Sequence, residues 1–173
     1  FLLISRSDST LRGHYPLETE VLRQILEEDG SHRYDGEVIM PFFLEGERLT
    51  INNTHFVGLG DELVPAHLTE FAKDVVFGYQ NGNLPRWIEE KTNGRYPAKQ
   101  VVSISLKDIR SNSIKGIAEQ LKQVTGFNKV VVNAVNYTDV KVVTVALLQA
   151  MNSGKRYLFR TAAGFVPIIG GIQ

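Results

Sequence analysis

The sequence predicts a three-layer α/β domain of the Rossmann-like kind, with a mostly parallel sheet and a β-hairpin excursion, and three observations carry that expectation. Across residues 101–159 strand-type and helix-type segments alternate regularly, the pattern of a parallel sheet joined by right-handed helical crossovers. The opening segment, residues 1–4, is continuously apolar, as suits a strand buried on both faces. Asn52 and Asn53 separate two short β-type runs, residues 49–51 and 54–57, which reads as a hairpin.

Taken in order, the first strand is followed by a polar loop, Ser5 to His14, and then by a helix. Pro16 suits its first turn, Glu18 and Glu20 lie near the positive end of its dipole, and Leu17, Val21, Leu22, Ile25 and Leu26 repeat at helical spacing up to Asp29-Gly30. Short β-type runs around Pro41 and Gly46 lead into the hairpin. Residues 65–74 read as a short helix containing Phe71, with residues 75–77 capping it or forming a brief strand. Asn83, Leu84 and Pro85 start a helix that carries Trp87, Ile88 and Lys91 and stops at Gly94. Residues 101–106 follow as a strand, and Ser111 caps a helix in which Ile114, Ile117, Ala118, Leu121 and Val124 share a face up to Gly126. Residues 129–132 form the next strand. Thr138 or Asp139 caps a helix with Val142, Val145, Ala146, Leu148 and Met151 on or near its apolar face, ended by Gly154, and residues 157–159 are the last strand.

This topology sets three polar loops at the carboxyl ends of parallel strands, where ligands bind in open α/β sheets: residues 5–13, 133–138 and 160–164. The first is the densest, holding three serines, a threonine, an aspartate, two arginines, a histidine and a glycine within SRSDSTLRGH. Arg12 offers a bidentate fork, Gly13 allows close backbone approach, and Asp8 can take a hydroxyl proton. Ser7, Ser9, Thr10 and His14 add polar contacts. In the third loop Arg160 and Thr161 offer a second guanidinium and hydroxyl, beside the small Ala162, Ala163 and Gly164.

The same residues carry a family likeness. SDSTLRG resembles the signature of the four-carbon acid sugar kinases, and PFFLEGERLT, AKDVVFGY and RTAAGFV agree with it over most of the chain. The resemblance implies a substrate-binding N-terminal domain followed by an ATP-binding domain, and phosphorylation of a hydroxyl on a threonate-, erythronate- or oxo-tetronate-type acid. Arg12 would hold the substrate carboxylate, Ser9 and Thr10 the polyol, Asp8 would act as base or hydroxyl-orienting group, and Phe42, Phe43 and Arg48 would flank the substrate. ATP and Mg2+ would come with the nucleotide-binding C-terminal domain, which is the expected partner. Asn133 stands where many relatives carry an aspartate. The apolar start at Phe1 and apolar tail, residues 166–173, fit a single domain over residues 1–173 that is part of a two-domain kinase and inactive alone.

Composition narrows the alternatives. With 19 basic and 19 acidic residues and no basic patch interleaved with aromatics, nucleic-acid binding has no support. There is no cysteine, and His14, His32, His55 and His67 lack ligand-type spacing, so no protein-built metal site is expected. No GxxxxGK[ST] or GxGxxG stretch is present. Lacking a membrane-length apolar run, the chain is expected to be cytoplasmic and off the membrane. The oligomeric state stays open, a homodimer included. A carboxylate-binding module without chemistry and a different α/β enzyme acting on an anionic substrate are the competing expectations.

Overall fold

The computed structural model describes residues 2–111 and 113–172. Five parallel strands form the central sheet: β1 (Ile4–Arg6), β2 (Gly36–Met40), β6 (Val102–Ile104), β7 (Asn128–Val132) and β8 (Tyr157–Thr161), in the order β1-β8-β2-β7-β6. A separate antiparallel sheet holds β3 (Arg48–Ile51), β4 (Thr54–Leu59) and β5 (Glu62–Pro65). The helices are α1 (Leu17–Glu27), α2 (Leu84–Lys91), α3 (Leu106–Arg110), α4 (Ile114–Lys122), α5 (Tyr137–Asn152) and α6 (Phe165–Ile169).

Each face of the sheet has its own core. Val38, Met40, Val130, Val132 and Phe159 pack under α4, α5 and α6, together with Leu121, Leu147 and Phe165. Ile39 and Val131 point the other way, into a cluster with Leu11, Tyr15, Leu84, Trp87 and Ile88. That is the three-layer arrangement the alternation predicts.

Several boundaries differ from the sequence expectation. Phe1 lies outside the described residues, and the first strand runs from Ile4 to Arg6 because its pairing with Phe159, Arg160 and Thr161 on β8 continues past the apolar segment. Pro16 is the N-cap of α1, not a residue of its first turn. Leu17, Val21 and Ile25 are exposed on that helix, because only its opposite side faces the sheet. The hairpin gains a third strand, β5. Residues 65–74 form two 3-10 turns, Ala66–Leu68 and Glu70–Lys73, interrupted by extended Thr69, whose hydroxyl donates to Ala66 O at 2.7 Å. Residues 75–77 are neither cap nor strand. Asp74 Oδ1 accepts from the amides of Val76 and Phe77, both at 2.9 Å, making a tight turn.

Ser105 ends β6 early and caps α3 by accepting from the Asp108 amide at 3.1 Å. The N-cap of α4 is Ser113, not Ser111, and its neighbour Asn112 lies outside the described residues. Helix α5 is capped by Asn136, not Thr138 or Asp139, in a reciprocal box with Asp139. The last strand continues through Arg160 and Thr161, and the apolar tail begins as α6, while Gln173 lies outside the described residues.

Candidate functional site

The chain leaves β1 and β8 toward opposite faces of the sheet, to α1 and to α6 respectively. Between these neighbouring strands lies the topological switch point, where α/β folds bind ligands. A cleft of about 310 Å³ occupies it, lined by Arg6, Ser7, Asp8, Ser9, Phe43, Ala162 and Ala163. Its walls are tied together through the backbone: the Ser7 amide donates to Thr161 O at 2.8 Å, and the amides of Ala162 and Gly164 donate to Met40 O and Phe42 O, both at 3.2 Å. Gly164 is required there, since a Cβ would sit 2.9 Å from Phe42 O.

The polar loop is folded around Asp8. Its Oδ2 accepts from the Thr10 hydroxyl, from Arg12 Nε at 3.0 Å and from the Arg12 amide at 3.3 Å. Arg12 Nε also donates to Thr10 Oγ1 at 2.9 Å, and its Nη1 lies 3.8 Å from Asp74 Oδ2. Burial pushes the Asp8 carboxyl up, but the hydrogen bonds from Thr10 and Arg12 and the Arg12 charge outweigh it and hold the group below its ordinary value. Asp8 is therefore an anion at neutral pH, with Oδ1 remaining for a ligand. Leu11 takes a left-handed φ of 68° and buries its side chain as the peg of the loop. Gly13, at φ 119°, serves the backbone conformation.

Three buried side chains grip the loop's carbonyls. Tyr79 Oη donates to Thr10 O at 2.7 Å, Arg160 Nη2 to Arg12 O at 3.1 Å, and His55 Nε2 lies 2.8 Å from Ser9 O. A carbonyl can only accept, so His55 carries its proton on Nε2. Its Nδ1, 3.0 Å from Thr50 Oγ1, is then the acceptor for that hydroxyl. Neither His55 nor Tyr79 stands out in the sequence as part of this site. The one signal is that His55 occupies an inward position of β4, alternating with buried Val57.

His55 gives a pH prediction. Burial drives its pKa down to about 4 from 6.5, so between those values the unfolded chain holds more protons than the folded one. Stability therefore falls as pH falls through that window, by about 3 kcal/mol when the whole shift is counted. Denaturant melts at steps between pH 7 and pH 4 should show this loss in the wild type, and a His55→Asn variant, less stable throughout, should lack that component. Equal pH dependence in the two would remove His55 as its origin.

The expected site residues are thus divided. Ser7, Asp8 and Ser9 share the cleft. Thr10 is buried beneath it, and Arg12 braces Asp8. Gly13 and His14 instead line a second cleft, of about 260 Å³, with Tyr15, Leu17, Val76, Phe77 and Lys91, where His14 meets Phe77 edge to face at 4.9 Å. Arg160 is 1 % exposed, pairs with Glu18 at 2.6 Å and lies over Tyr15 and Trp87, so its guanidinium belongs to the wall and not to the cleft. Thr161 is buried, and its Oγ1 has no hydrogen-bond partner among the described residues. The loop after β7 does not join the crevice. Asn133 clips the hairpin turn: its Oδ1 accepts from the Asn53 amide at 2.7 Å and its Nδ2 donates to Asn53 Oδ1 and Ile104 O at 2.8 and 2.9 Å. Phe43 lines the cleft, whereas Phe42 is core.

Fold and cleft together define an α/β ligand-binding domain with a small polar site at the sheet's switch point. Residues 1–168 match the family model of the sugar-binding N-terminal domain, and the chain belongs to that family. This agrees with the likeness of the SDSTLRG loop to four-carbon acid sugar kinases, as far as their N-terminal domain. No curated protein matches the sequence. Among solved structures, a Haemophilus influenzae protein of the DUF1537 family is similar at TM-score 0.66 and 19% identity, with 95% of this chain and 36% of that chain covered. A Salmonella typhimurium LT2 protein is similar at 0.70 and 16%, over 97% and 37%. A Bordetella bronchiseptica DUF1537 protein, a domain-swapped dimer with bound citrate, is similar at 0.64 and 20%, over 95% and 35%. This chain therefore spans little more than a third of the length of these neighbours.

Proposed function

We propose that this domain binds the acceptor of a sugar-acid kinase, a four-carbon acid of the threonate, erythronate or oxo-tetronate type. The observation that carries the reading is the switch-point cleft, whose lining an ionised Asp8 shares with Ser7 and Ser9. A carboxylate held in that way can accept a hydrogen bond from a substrate hydroxyl, fix its direction and take its proton. Ser7 and Ser9 can each donate to one polyol oxygen while accepting from another. The citrate carried by the Bordetella neighbour is in keeping with a small carboxylate ligand, and the dimeric state of that protein with a homodimer.

A kinase of this kind draws on ATP and Mg2+. No phosphate-cradling glycine loop is present in the sequence, and no group of three or more His, Asp or Glu among the described residues could hold a metal ion. In this reading both belong to a nucleotide-binding domain joined to this one, and the protein works in the cytoplasm. No helix among the described residues is long and apolar enough to cross a membrane.

Two measurements test the proposal. Calorimetric titration of this chain with a panel of four-carbon sugar acids should find one that binds. The polypeptide joining it to a nucleotide-binding domain should phosphorylate that acid at the expense of ATP. Binding with no transfer in the joined polypeptide would favour a carboxylate-binding module, and no binding at all would sink both readings.

A further inference from the structure

We infer that Arg48 receives the carboxylate of the bound acid and that Arg12 is a positioning residue of the loop; this rests on the sugar-acid reading above. Arg12 is already engaged. Its Nε serves Asp8 and Thr10 and its Nη1 faces Asp74. One guanidinium thus stands between two carboxylates, and an incoming anion would meet the repulsion of both.

Arg48 is the complementary case. Among the described residues it makes no ion pair, and its only hydrogen-bonded guanidinium nitrogen, Nη1, donates to the carbonyl of Gly46. Its Nε is buried with no partner. That donor belongs to the edge of a guanidinium that pairs side-on with a carboxylate, and buried donors in folded proteins normally find an acceptor.

Place and rigidity agree. Arg48 and Phe43 exchange backbone hydrogen bonds at 2.9 and 3.0 Å, and Phe43 lines the same cleft as Asp8. The Arg48 guanidinium carbon lies 5.5 Å from the centre of the Phe71 ring, against which Arg12 also rests at 5.1 Å. Both cations thus rest against one ring, one neutralised within the protein and one not. A four-carbon acid has its charge at one end and hydroxyls along the rest. Arg48 would take the charged end while Asp8 faces a hydroxyl.

The test uses a ligand pair differing only in charge: a four-carbon sugar acid that binds, and its primary amide. Calorimetry should show the wild type preferring the acid by about 10- to 100-fold, the range for a hydrogen bond to a charged group. Arg48→Gln should abolish the preference, weakening the acid far more than the amide, and Arg48→Lys should keep part of it. Arg12→Gln should weaken both ligands together, because it loosens the loop. Circular dichroism and melting temperatures check folding, and Arg48→Lys carries the test should the glutamine variant not fold. An undiminished preference in the folded Arg48 variants, or its loss in Arg12→Gln alone, would overturn the assignment. A wild type that binds the panel acids no better than buffer would instead defeat the sugar-acid reading itself.

Discussion

An Asp8→Asn variant of the joined, two-domain polypeptide is expected to lose about 10²- to 10⁴-fold in kcat, the usual worth of a positioned proton acceptor. Asparagine keeps the shape of the side chain and can still accept from Thr10 and Arg12. It cannot take a proton. The KM for the acid should therefore change much less than kcat, which separates loss of chemistry from loss of binding. Asp8→Ala should raise KM as well, because Arg12 then keeps only the more distant Asp74, 3.8 Å away. Since Asp8 is held below its ordinary value of 3.8, its ionised form persists to lower pH than that of a free aspartate. The acid limb of the rate profile due to Asp8 should accordingly lie below the normal carboxylate range. Steady-state kinetics of the wild type and the two variants from pH 5 to pH 8, a window in which Asp8 should contribute no acid limb, decide the matter. Wild-type turnover in Asp8→Asn would remove Asp8 from the reaction.

The parts of this site that could be read from sequence are those that depend on local pattern. Alternating strands and helices give the parallel sheet, and with it the carboxyl-end placement of Ser7, Asp8 and Ser9. Hidden were the features decided by partners far along the chain. Arg160 and Thr161 look like loop residues because they are polar and precede a glycine-containing stretch. Glu18, 142 positions away, together with Tyr15 and Trp87, makes a fully buried strand position of Arg160. Asn133 looks like a weakened carboxylate position, yet its amide offers both the acceptor and the donor needed to clip Asn53 80 residues earlier, which an aspartate could not do. Strand β5 was missed because Glu62 and Leu63 are exposed on an edge, with no burial pattern to betray them. Arg12 reads as a ligand residue until the loop closes and Asp8 takes its fork.

The largest stability effect is expected at the other end of the sheet. Glu37 and Lys129 are directly paired residues near the amino ends of β2 and β7, both 0 % exposed, with Nζ 2.7 Å from Oε2. The ammonium group also lies 3.9 Å from the Phe127 ring centre and 4.1 Å from that of Tyr96. Burial drives the Lys129 pKa down, and the facing Glu37 opposes that shift. Glu37 Oε1 has no hydrogen-bond partner among the described residues. Removing either partner alone strands a charge in the core, so Lys129→Met and Glu37→Leu should each cost about 3–5 kcal/mol. The double variant should regain most of that loss, since two apolar side chains in place of a buried ion pair are often neutral or stabilising. Urea unfolding of the four proteins measures the coupling. Additive losses in the double variant would show that packing, not the pairing of charges, sets the cost. Because the pair lies away from the carboxyl ends of the strands, the double variant should bind a sugar acid as the wild type does. Weakened binding there would mean that the sheet transmits strain to the Asp8 loop.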